Sequence, residues 1–162
     1  MKNNHEVEVL STKVKKMKNS ALIRLVLVGS LTLSLQAEFL RDATKEIVLD
    51  TKTNLVWQDN SEAKTITKTW SEAISYCENL TFASYDDWRL PNINELKTIV
   101  DSSRYSPAIK SQFVNVASSY YWSSTTYASY TSYAWFVYFN VGGTDDYDKA
   151  LSGYVRCVRD GQ

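Results

Sequence analysis

Cys77 and Cys157 are the only cysteines of the 162-residue chain, and His5 is the only histidine. A reactive thiol needs a neighbouring imidazole or a C-x-x-C partner to hold its pKa down. These two cysteines, 80 positions apart, have neither and read as a disulfide, the usual fate of an even cysteine count in an oxidising compartment. With no histidine after residue 5, Ser-His-Asp or Cys-His catalysis and a His-ligated zinc are excluded. Asp145, Asp146 and Asp148 place three carboxylates in four positions beside Gly142 and Gly143. Oxygen ligands so close suit calcium, yet three fill at most about half of its roughly 6 to 8 positions. The run therefore reads as an acidic, solvated turn, with no metal expected and no partner carboxylate positioned across a sugar for glycoside hydrolysis.

The stretch 118–140 holds ten aromatic residues among serines and threonines. Trp122, Trp135, Phe136 and Phe139 are expected in the core. Tyr127, Tyr130 and Tyr133 recur every three positions in a Ser/Thr-rich segment that reads as a loop, and they are the candidate ligand-binding residues. Tyrosine supplies a rigid amphipathic face at low entropy cost and serine supplies adaptable hydrogen bonds. A sugar ring asks for the same pair, a flat face for its C–H groups and polar groups for its hydroxyls.

Several elements must hold these residues. Ile47-Val48-Leu49 and Leu55-Val56-Trp57 read as two strands around a polar turn. Thr69 and Glu72 have capping-box spacing, and Trp70, Ala73, Ile74, Cys77 and Leu80 follow on one helical face, which turns Cys77 inward. A second helix begins after Pro91, capped by Asn92 and Glu95, with Ile93, Leu96, Ile99 and Val100 as its apolar side. Aromatic strands follow at Tyr120–Trp122 and Ala134–Phe139, the latter apolar on both faces and so central. After a Gly142-Gly143 turn, Tyr154–Arg159 reads as the last strand. Two helices packed on a small, mainly antiparallel sheet make an α+β domain over residues 38–162.

Ahead of it, Met17-Lys18-Asn19 and Arg24 precede an apolar run from Leu25 to Leu35 and a small residue, Ala37. That is the order of a secretory signal, cut after Ala37, with Met17 as a possible translation start. The run is too short for a stable membrane span. Export to the periplasm or the medium follows, with oligomers possible. Residues 38–162 carry twelve Lys and Arg against sixteen Asp and Glu, a balance of −4 that excludes nucleic acid as a bulk-charge partner.

Val48-Leu49-Asp50, Asn54-Leu55-Val56-Trp57-Gln58-Asp59, Trp70-Ser71-Glu72-Ala73 leading to Tyr76-Cys77, Asp87-Trp88-Arg89-Leu90-Pro91, Tyr121-Trp122-Ser123-Ser124 and Tyr154-Val155-Arg156-Cys157-Val158-Arg159 follow one another in this order. In that order they resemble the Lcl C-terminal domain family, named after a collagen-like adhesin. The resemblance implies a C-type lectin-like fold whose first helix is tied to the last strand by the Cys77–Cys157 bridge. Trp70, Trp88, Arg89, Pro91, Trp122 and Arg156 are then fold-marking residues, Trp88 filling the core and Arg89 pairing with a buried carboxylate or backbone carbonyls. For the name-giving adhesin it also implies binding of sulfated glycosaminoglycans and trimeric assembly. This chain departs on both counts, having no Gly-x-y repeat and a net negative body. The Glu-Pro-Asn and Trp-Asn-Asp motifs of calcium-dependent C-type lectins are also absent. The expected function is non-catalytic recognition, without cofactor, of a glycan or a protein at the cell envelope or an extracellular or host surface. The alternatives are an enzyme related to formylglycine-generating folds, or an envelope subunit that assembles through the aromatic loop.

Overall fold

A computed structural model describes residues 38–161. The export signal read at residues 1–37 lies outside them. Nine strands and three helices follow in the order β1 (Phe39–Asp42), β2 (Ile47–Asp50), β3 (Leu55–Gln58), α1 (Glu62–Thr65), β4 (Thr67–Lys68), α2 (Trp70–Glu78), α3 (Ile93–Thr98), β5 (Tyr120–Thr126), β6 (Tyr133–Tyr138), β7 (Gly143–Asp148), β8 (Gly153–Tyr154) and β9 (Val158–Asp160). The class is α+β, but there are two sheets where one was expected. One has the order β1-β2-β3-β9, the other β4-β8-β5-β6-β7.

The second sheet arises because the segment read as one last strand is two. β8 pairs with β4 and, in parallel, with β5 through Tyr121 and Tyr154, whereas β9 pairs with β3. Val155, Arg156 and Cys157 lie between them, all fully buried. An alternating pattern shows that a segment is extended, not which sheet it joins. β1 and the one-turn α1 also escaped the sequence reading, being too short to show a period.

Both longer helices start as their sequences direct. The Glu72 carboxylate accepts from the Thr69 N–H at 3.0 Å and its hydroxyl at 2.8 Å, and Asn92 and Glu95 exchange reciprocal bonds of 2.9 and 2.8 Å. In the five-stranded sheet, cross-strand partners share a face. Tyr121 and Val137 face one way and join Leu96 of α3, Trp57, Ile109, Phe113 and Phe139 in one core. Trp122 and Ala134 face the other way and join Ala73 and Cys77 of α2, Trp88 and Val155 in a second. The disulfide links Cys77 of α2 to Cys157, Cα atoms 5.5 Å apart, within that second core.

Arg89 pairs with carboxylates as expected, but they are partly buried or exposed and Arg89 is itself partly exposed. Its side chain, 37% exposed, forks onto Glu95 with two 2.8 Å bonds and reaches Asp160 at 3.1 Å. The backbone explains this, since Arg89 and Val158 exchange N–H···O bonds and so place residue 89 along the outer edge of β9. Two other arginines are buried: Arg159, which pairs with Asp87, and Arg156, which donates to the Gln58 carbonyl at 2.5 Å, to Asp59 Oδ1 at 3.0 Å and to the Asn115 carbonyl. Trp88 is buried as expected, at 2% exposure.

Candidate recognition surface

The candidate tyrosines sit at the tip of the β5–β6 hairpin. The Tyr127 N–H donates to the Tyr133 carbonyl at 2.9 Å and the Tyr133 N–H to the Tyr130 carbonyl at 2.8 Å, so the loop is a closed turn. Tyr133 is not a loop residue but the first of β6, opposite Asp148 on β7. The three-residue recurrence brings the rings together nonetheless. Tyr130 lies 6.0 Å from Tyr127 and 6.3 Å from Tyr133, centroid to centroid. Tyr127 stands edge-on against Trp135 at 5.3 Å, and Trp135, expected in the core, is only partly buried. With Asp146 the three tyrosines line a shallow cleft of about 340 Å³, and Tyr130 is 66% exposed.

Lys149, which no motif reading singled out, fastens this hairpin. Its ammonium donates to Thr126 Oγ1 at 2.8 Å and to the Thr131 carbonyl at 2.9 Å, and it lies 3.9 Å from the Trp70 ring centroid. Trp70 in turn donates its indole N–H to the Ser123 carbonyl at 2.8 Å. The start of α2 and the base of the hairpin are thus one unit.

Asp145, Asp146 and Asp148 are not in a turn. They lie on β7, an edge strand, and strand alternation sends Asp146 and Asp148 to the face of Trp135 and Tyr133, but Asp145 to the opposite face with Phe136. The carboxylates therefore diverge. Among the described residues no three His, Cys, Asp or Glu side chains converge on a point that could hold a metal ion. Asp59, the carboxylate whose surroundings are most elaborate, is spent on structure. It accepts from Arg41, Arg156 and the backbone N–H groups of Val114 and Asn115. No helix of the described residues is long and apolar enough to cross a membrane.

Residues 46–159 match the Lcl C-terminal domain. The chain belongs to that family. No curated protein matches it. The family span takes in both disulfide cysteines, the tyrosine hairpin and the three helices. It leaves out β1, although Phe39 of that strand is buried in the core at 3% exposure.

Proposed function

We propose that the chain is an exported, non-catalytic, adhesin-like recognition domain of C-type lectin-like fold. It takes a glycan or an envelope or extracellular protein on the surface of Tyr127, Tyr130 and Tyr133. The observation that carries this reading is the gathering of the three rings on a fastened hairpin, Tyr127 backed by Trp135 and Tyr130 left 66% exposed. An aromatic face left in water gains by being covered, and a pre-ordered ring loses little entropy on stacking against a sugar or a peptide. Family membership, the disulfide and the lack of a histidine after residue 5 support the non-enzymatic and exported parts of the reading.

A glycan array probed with the protein identifies the ligand, and calorimetry with Tyr130→Ala tests the site. Loss of a true anchor should weaken binding about 30-fold or more, at unchanged melting temperature. Binding should also persist as salt is raised, because screening removes charge steering and leaves stacking. Binding that instead collapses with salt and follows Lys or Arg substitutions would replace this reading by a polyanion mode. Export is checked separately by intact mass, which should begin at Glu38.

A further inference from the structure

A second aromatic surface lies on the opposite face of the same sheet, where the Tyr127 hairpin does not reach. Alternation that turns Tyr121, Val137 and Trp135 one way turns Tyr120, Phe136 and Tyr138 the other, beside Asp145 and Tyr147 of β7. This face is closed where α2 packs near Trp122 and Ala134, both fully buried. It is open toward β7, where Tyr138 is 37%, Tyr147 38% and Val141 51% exposed. The opening is a groove of about 520 Å³ bounded by Tyr120, Phe136, Tyr138, Val141, Asp145 and Tyr147.

Its floor is pre-ordered. Tyr120 lies 5.3 Å from both Phe136 and Tyr147, which are 6.2 Å from each other, and the Tyr120 hydroxyl is tethered to the Ser152 carbonyl at 2.6 Å. Asp145 is the one charged residue of the lining. Its Oδ1 accepts the Asp146 N–H at 2.9 Å, and no lysine or arginine of the described residues pairs with it.

We propose that this groove binds an oligosaccharide of hexosamine units bearing free ammonium groups. Exposed tyrosine faces take the C–H face of a pyranose. An ammonium on the ring is drawn both to the electron-rich aromatic faces and to the carboxylate. Acidic and sulfated sugars meet Asp145 and the −4 balance of residues 38–162. A second copy pairing along β7 would set Asp145, Asp146 and Asp148 against themselves, as charged edge strands do. The groove shares no ring with the Tyr130 cleft, so each site stands or falls alone.

The test is a titration of the protein with a β-linked glucosamine tetramer at mildly acid pH, where its amines are charged, followed by calorimetry and tyrosine-ring NMR. We expect shifts at Tyr138 and Tyr147, a loss of about 30-fold for Tyr138→Ala and of about tenfold for Asp145→Asn, and no change for Tyr130→Ala. Asparagine keeps the acceptor for the Asp146 N–H, so Asp145→Asn removes only the charge. The fully N-acetylated tetramer should bind at least about tenfold more weakly. Equal affinity for the two tetramers, indifference to Asp145→Asn, shifts confined to Tyr127 and Tyr130, or a dimer that Tyr138→Ala disperses would each overturn the proposal.

Discussion

Arg156 and Arg89 show what a side chain's surroundings decide. Arg156 and Asp59 are both fully buried, and each is the other's counter-charge in a place that water does not reach. Asp59→Ala should therefore cost about 3 to 5 kcal/mol in urea unfolding, because a guanidinium would stay buried without its carboxylate. Arg89→Ala, which breaks a more exposed fork, should cost no more than about 1 kcal/mol. Near-equal costs would contradict this assignment of roles. Titration behaves the same way. Hydrogen bonds from Thr69 hold Glu72 below the ordinary carboxylate range, those from Arg159 do so for Asp87, and those from Ser103 for Asp101. Depressed carboxylates favour the folded state above the unfolded pKa, about 4, and lose that contribution as pH falls through the lower folded values. The melting temperature should thus be level near neutrality and drop below about pH 4. Burial, opposed by a hydrogen bond from Gln58 and reinforced by Glu62, pushes Tyr76 up to about 12. A raised phenol stabilises the fold in full below its ordinary value of 10.0 and loses this as pH rises through about 12. Tyr76→Phe should accordingly flatten part of the alkaline fall in melting temperature.

Among the elements, the β5–β6 hairpin depends on residues far from it in sequence. Lys149 bonds to both sides of its tip and stacks on Trp70 of α2. Lys149→Met keeps the stem over Trp70 but deletes the two donors. Hydrogen exchange at residues 126–132 should quicken about tenfold, while the β2–β3 amides stay protected. Quickening throughout the molecule would mean that Lys149 holds the whole fold and not the hairpin. α2 is fastened at its other end by the disulfide to Cys157. Cys157→Ala, which releases a loop of 80 residues, should lower stability by about 2 to 5 kcal/mol, measured by unfolding with and without reductant.

At the scale of the whole molecule, what the sequence determined by itself was local chemistry. Capping boxes at Thr69 and Asn92, the inward face of Cys77, the alternation of β6 and the absence of catalytic histidine all depend on residues a few positions apart, or on composition. Periodicity reports which residues lie on one face of an element, and so it found the central strand and the aromatic concentration. It is silent on which elements meet. Two sheets replace one because the chain crosses between them at Val155–Cys157, three residues that the apolar alternation does not set apart from the strands beside them. The three aspartates look like one cluster in sequence, yet β7 pairs flat against β6 and turns Asp145 away from Asp146 and Asp148. Arg89 and Arg156 are alike as residue types, and only packing against β9 or beneath Asn115 makes one half-exposed and the other buried. Tyr127, Tyr130 and Tyr133 were legible as a candidate group from spacing, whereas Trp135 against Tyr127, Lys149 fastening the hairpin and the groove at Tyr138 were not. These are contacts between strands and a helix distant along the chain, and long-range pairing is a property of the folded tertiary structure that no local pattern of residue types encodes.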